Sequence, residues 1–244
     1  MREFAGKRYW VVGASEGLGR AVAHHLSRAG AELILSARSA ESLEALAGEL
    51  SGKAHVQPMD IGEDESVRQA GEAVGAVDGV VLLAGVYWPF GAQDWNADQA
   101  TAMANVNFTG FIRVLGQVVP GMVARNAGHI VITSSLTGFR GLPGSIGYTA
   151  SKAGTMSLAE CMHADLRRTG VDVQVVNPGF IRTRLTDKND FHMPFIMEPE
   201  PAAREVFEHM QTDVFKRSFP TVFSWVFRLS QFLPDWAYYR LFGR

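Results

Sequence analysis

Short apolar runs alternate with longer amphipathic segments along the chain. Residues 9–12 are apolar and run into glycine, a pattern that predicts a buried strand. Residues 17–30 carry Leu18, Val22 and Leu26 at helical spacing and stop at Gly30, which predicts a helix. The same reasoning places strands over 33–35, 79–83, 129–133 and 171–176, and a weaker one over 54–57. Helices are expected over 41–50, where Ser39 is placed as a cap, and over 64–74, 97–123 and 148–168. Strands that are apolar throughout and alternate with helices require a parallel sheet covered on both faces. The expected architecture is α/β, a doubly wound parallel sheet of three layers in a single domain, 1–244. A substrate lid over 184–212 and an apolar helical tail over 219–244 complete it.

The tail has its own pattern. Thr221, Ser224, Arg228 and Gln231 fall at spacings of three, four and three, one narrow polar stripe on a helix over 221–233. Val222, Phe223, Trp225, Val226, Phe227, Leu229, Phe232 and Leu233 cover the remaining circumference. Pro234 ends that helix, and Asp235 can cap a second over 236–242. So wide an apolar face must be covered. One reading packs it on the protein's own body or a neighbouring subunit. The other rests it on a bilayer, with Trp225 and Trp236 at headgroup level and Lys216, Arg217, Arg228, Arg240 and Arg244 near anionic lipid.

Composition narrows the function classes. The chain is 47% hydrophobic and 20% charged, which excludes disordered, collagen-like and disulfide-scaffold proteins. With 23 basic and 25 acidic residues the net charge is −2, so no bulk field draws it to nucleic acid. Cys161 is the only cysteine and no Cys/His cluster suits a metal. The longest uncharged run, between Asp78 and Asp94, falls short of the ~20 residues of a spanning helix. A cytoplasmic location is the expectation.

Two constellations carry chemistry. Gly13-Ala14-Ser15-Glu16-Gly17-Leu18-Gly19 joins the first strand to the first helix. Glycines there allow close backbone approach to a pyrophosphate, and the helix N-terminus offers N–H donors; a tight turn without ligand satisfies the same spacing. Second, Lys152 lies four residues after Tyr148, and Ser135 lies thirteen before it. Composition produces that triplet by chance on the order of 0.01 times in such a chain. Residues four apart share a helix face, and an ammonium beside a phenol favours the phenolate. A buried tyrosine with a solvated lysine has the same spacing.

Taken in order, the glycine loop, Asn107, Ser135, Tyr148-Thr149-Ala150-Ser151-Lys152 and Asn177-Pro178-Gly179 resemble the short-chain dehydrogenase/reductase family, over about residues 7–185. The resemblance implies a Rossmann-type fold and hydride transfer between a nicotinamide and a carbonyl or alcohol carbon. It implies Tyr148 as general acid or base and Lys152 as the group that lowers its pKa and holds the nicotinamide ribose. Ser135 would bind the substrate oxygen and Asn107 would hold a relay water. Cofactor contacts are expected from Gly13, Ser15, Gly17, Leu18, Gly19, Asp60, Ile61, Ala84, Gly85, Tyr148 and Lys152. Pro178, Gly179, Ile181 and Thr183 are expected around the nicotinamide amide.

The chain departs from the family at Val12, where threonine is common, at Leu82-Leu83-Ala84-Gly85, which replaces Asn-Asn-Ala-Gly, and at Glu16, where NADP-dependent relatives often carry a base. Ala37 stands where NAD-dependent relatives place an acid, and Arg38 follows it, so NADP(H) is expected over NAD(H); Glu16 would then point to solvent or pair with Arg38. Phe191, His192, Met193, Pro194, Phe195, Ile196 and Met197, with Trp88 and Phe90, suit a hydrophobic substrate or ordinary packing. A homodimer or homotetramer through 97–123 and 148–168 is expected. The small or adaptable residues Ala153, Gly154, Met156, Ala159 and Met162 of the latter would let a partner helix approach, and equally suit packing on the sheet. The rival readings are an epimerase or dehydratase on a similar fold and a cofactor-binding regulator without turnover.

Overall fold

The computed structural model describes residues 1–243. The strands are β1 (Arg8–Val12), β2 (Glu32–Ser36), β3 (Ala54–Val56), β4 (Gly79–Leu82), β5 (Gly128–Thr133), β6 (Val171–Pro178) and β7 (Lys216–Phe219). They form one parallel sheet in the order β3-β2-β1-β4-β5-β6-β7. Nine α-helices accompany them among the described residues: α1 (Gly17–Arg28), α2 (Ala40–Glu49), α3 (Asp64–Val74), α4 (Ala97–Ala104), α5 (Gly110–Ala124), α6 (Ile146–Leu166), α7 (Pro199–Met210), α8 (Thr221–Ser230) and α9 (Asp235–Phe242). Alternate residues of each central strand point to opposite faces, and both faces are apolar because both are covered. Val11, Leu33, Leu35 and Val81 pack on one face with residues of α1, α2 and α7. Trp10, Val12, Ile34, Val80 and Leu82 pack on the other with α3, α5 and α6. The strand order reverses between β1 and β4, and a crevice opens beyond their carboxyl ends, where doubly wound sheets bind ligands.

The structure corrects two expectations. Residues 199–210 are not lid. Ala202, Ala203, Val206 and Met210 are buried at helical spacing, and α7 packs on α1. Strand β7 follows at the sheet edge, in register Val175↔Lys216 to Pro178↔Phe219. Lys216 pairs with Glu160 and Arg217 with Glu205, so neither is free to meet lipid. The helical stretch over 97–123, expected as one long or broken helix, is broken by a π-helical turn, Asn105–Thr109. By length and hydropathy 97–124 could cross a bilayer, but Met103, Phe111, Val114, Val118 and Met122 are buried in the molecule. On α6, Met156 and Ala159 are buried and Gly154 faces the Phe108 ring, so these small residues serve internal packing.

Near the start of β5 lies a buried polar network. His129 is within 2.8 Å of the Tyr9 hydroxyl and the Gln174 carboxamide and 2.9 Å from Arg2. Burial, with the Arg2 charge nearby, pushes the His129 imidazole down to about 3, and burial pushes His209 down to about 4.

Candidate active site

The crevice beyond β1 and β4 holds a cavity of about 310 Å³. The loop residues Gly13, Ser15, Gly17, Leu18 and Gly19 line it, with Arg38 after β2 and Asp60 and Ile61 after β3. Ala84 and Gly85 after β4 join them, as do Pro178, Gly179, Ile181 and Thr183 around the end of β6. Gly13 has φ +91°, and a Cβ there would collide with the Ala84 backbone. Gly17 has φ +52°, and a Cβ would stand 2.8 Å from the Thr183 methyl. No side chain at Glu16 caps α1, so its first N–H groups are left for an anion at this end of the cavity. Glu16 pairs with Arg184 of the lid and not with Arg38. The Asp60 carboxylate accepts from the Gly62 N–H at 2.8 Å, inside its own turn. These features fit a dinucleotide.

Tyr148 and Lys152 lie one turn apart on α6 and both reach the same cavity. Lys152 is 4% exposed, and its ammonium donates to the Thr133 carbonyl at 2.9 Å, the one hydrogen bond it makes among the described residues. Burial lowers it to about 7. Two of its donors are left for a ligand in the cavity. The expected lowering of the phenol is absent here. Burial pushes Tyr148 up to about 12, with the Ser135 hydroxyl opposing, and the Lys152 ammonium stands 5.8 Å from the ring centre. Ser135 follows β5 and is buried. Its hydroxyl oxygen accepts from the Thr137 N–H at 3.2 Å and the Thr137 hydroxyl at 3.1 Å.

Asn107 lies in the π-helical turn and does not line the cavity. Its carboxamide accepts from the Val86 N–H at 2.8 Å and donates to the Val86 carbonyl at 2.9 Å and the Ser151 hydroxyl at 3.1 Å. It thus ties the segment after β4, which lacks the family's paired asparagines, to the turn that carries Tyr148.

A second cavity of about 580 Å³ opens on Tyr148 and Ser135. Aromatic rings of Tyr87, Phe90, Phe180, Phe191, Phe223 and Phe227 line much of it, with Asp94, Asn189 and Asp190 among the polar lining residues. The Tyr87 ring meets the Tyr148 ring edge-on at 5.1 Å. Of the seven lid residues expected here, Phe191 alone lines the cavity among the described residues. Residues 192–197 do not line it; Phe195 packs behind the wall residue Phe223, and Met197 packs against the core. Trp88 is outside the cavity and carries the Lys188 ammonium 4.3 Å above its ring. Sequence reasoning missed Tyr87, Phe180 and the tail's Phe223 and Phe227. Phe223 and Phe227 are four apart on a helix, but nothing in that spacing says what they face.

The short chain dehydrogenase family model matches residues 7–193. The chain belongs to this family. An uncharacterized oxidoreductase of Myxococcus xanthus (strain DK1622) is 35% identical over 242 residues, 96% of each chain. Among solved structures, an alcohol dehydrogenase from the archaeon Thermococcus sibiricus, complexed with 5-hydroxy-NADP, is 25% identical with a TM-score of 0.79. It covers 87% of this chain and 95% of its own. A short chain dehydrogenase/reductase from Burkholderia phymatum, in complex with NAD, shares the fold at a TM-score of 0.86, 23% identity and 94% coverage of both chains. As a short chain dehydrogenase the protein is an oxidoreductase, and its Ser135, Tyr148 and Lys152 converge where the two cavities meet.

Proposed function

We propose that this short chain dehydrogenase is an NADP(H)-dependent oxidoreductase that interconverts an apolar carbonyl compound and its alcohol. The observation that carries the reading is the position of Tyr148, which lines both the glycine-loop cavity and the aromatic cavity. A nicotinamide bound in the first supplies or accepts hydride.

The chain's own residues handle the oxygen and its proton. Ser135 is placed to hydrogen-bond the substrate oxygen, and Tyr148 gives up a proton as charge develops on that oxygen. A neutral phenol is the form needed for reduction, and its burial keeps it protonated. Lys152 is placed to hold ribose hydroxyls with its two remaining donors. Asn107 fixes the Val86 backbone and Ser151, and through them the positions of Tyr87 and Tyr148. Any water in a proton relay would have to approach the carboxamide oxygen.

Arg38 supports NADP(H) over NAD(H). It lines the cofactor cavity beside Ala37, where no carboxylate repels a 2′-phosphate. Glu16 is neutralised by Arg184. The aromatic walls of the second cavity favour a hydrophobic substrate.

The test is consumption of NADPH, compared with NADH, over a panel of ketones and aldehydes graded by size and charge. Turnover of apolar members with NADPH is the expected result. Tight NADPH binding with no turnover across the panel would replace this reading with that of a binding protein.

A further inference from the structure

The tail turns two serines inward beside Phe223 and Tyr238 and leaves much of its apolar surface outward, next to the exposed Arg228 and Arg240. Ser224 and Ser230 are buried with Phe223, and their hydroxyls donate within the helix to Thr221 and Phe227 carbonyls at 2.7 Å. On the outer side Val222 is 72% exposed, Phe232 84% and Trp236 76%, and Trp225, Leu229 and Leu241 are exposed with them. Phe195 of the lid, packed against Phe223 at 5.5 Å, is exposed as well.

Polar anchors hold this arrangement. The Arg140 guanidinium donates to the Ser230 carbonyl at 2.5 Å, the Leu233 carbonyl at 2.8 Å and Asp235 at 2.6 Å, and stacks 3.9 Å over Tyr238. Gln231 donates to the Phe139 carbonyl and Tyr238 to the Gly141 carbonyl. The two helices are clamped in place with their largest side chains facing out.

The charges of this face decide what covers it. Arg228 lies 4.5 Å over the Trp225 ring, and neither Arg228 nor Arg240 has an ion-pair partner among the described residues. Asp235, the tail's acid, is neutralised by Arg140. We propose that the outer face of α8 and α9 docks on an anionic lipid surface, with Trp225, Phe232 and Trp236 in the headgroup–acyl boundary and Arg228 and Arg240 at the phosphates. A second copy of the same face would set unpaired cations against unpaired cations across a two-fold axis. This docking goes beyond the reaction and does not depend on it. Arg244, expected at the same surface, lies outside the described residues.

The experiment is flotation of the full chain with phosphatidylcholine vesicles containing phosphatidylglycerol, against phosphatidylcholine alone. Binding to the anionic vesicles, weakened by salt, is expected. Replacing Trp225, Phe232 and Trp236 together by serine should weaken it at least about tenfold, given the transfer free energy of such side chains. Circular dichroism checks that the variant is folded, and turnover of a water-soluble carbonyl without vesicles should be unchanged. In the unaltered protein, brominated lipid should quench tryptophan fluorescence, which needs no variant. Absence of both flotation and quenching overturns the proposal. So does a dimer that dissociates in the triple variant while vesicles are ignored, which would assign the face to a second copy.

Discussion

The Lys152 ammonium donates to the Thr133 carbonyl at 2.9 Å and stands 5.8 Å from the centre of the Tyr148 ring, one turn earlier on α6. The end of β5 therefore positions the lysine, and both side chains line the glycine-loop cavity. The two residues should separate on substitution. Tyr148→Phe removes the proton donor alone, so kcat should fall at least about a hundredfold while NADPH affinity is kept. Lys152→Ala should weaken NADPH binding and turnover together. Steady-state kinetics with fluorescence titration of NADPH distinguishes the two patterns.

On the proposed reading Arg38, which lines the glycine-loop cavity, holds a 2′-phosphate. Arg38→Ala should weaken NADPH binding by about 1.5–3 kcal/mol, the range for charge-assisted hydrogen bonds, and leave NADH unaffected. Isothermal titration with both nucleotides measures it; equal losses would remove Arg38 from cofactor selection. Ala37→Asp should shift preference toward NADH.

Acid should destabilise the fold before the carboxylates titrate. His129 and His209 are held neutral by burial, at about 3 and about 4. Unfolded, each titrates near 6.5, so below that pH the unfolded chain binds more protons than the folded one. Stability is then lost as pH falls from about 6.5 toward the folded values. The linkage amounts to about 2 kcal/mol per histidine between about pH 7 and pH 5. Urea unfolding at the two pH values should show that drop, and equal midpoints would contradict it.

Arg140 clamps the tail through two carbonyls, one carboxylate and a ring. Arg140→Ala leaves Ser230 and Leu233 carbonyls without that partner and should loosen 220–243 locally. Limited proteolysis should cut within this segment at least about tenfold faster, as a loss of roughly 1.4 kcal/mol or more in local opening implies. Because Phe223 and Phe227 line the aromatic cavity, KM for a bulky ketone should rise more than kcat falls.

Much of the site was legible because its chemistry is local in sequence. The glycine loop, the Tyr148–Lys152 turn and the 178–183 segment each draw several site residues from one short stretch, and apolar runs ending in glycine marked the strands that carry them. What was not legible depended on contacts made far along the chain. Strand β7 has one sheet neighbour and reads Lys-Arg-Ser-Phe, so no alternation betrays it. Helix α7 is hard to tell from lid in the sequence because its buried residues, among them Ala202 and Ala203, find their partner in α1, far along the chain. Of the tail's polar stripe Ser224 is buried while Thr221, Arg228 and Gln231 stay exposed, because the tail is seated by distant contacts such as Arg140 on the Ser230 carbonyl, about ninety residues apart. Glu16 found Arg184 and not Arg38 for the same reason.

The most direct test of the proposed reaction is isotope transfer. The protein is given NADPH carrying deuterium at the nicotinamide hydride position, with an apolar ketone that it turns over. The account predicts deuterium on the carbinol carbon of one alcohol enantiomer, at a rate that collapses in Tyr148→Phe. NADPH bound in the glycine-loop cavity with no deuterium delivered to any ketone of the panel would contradict it.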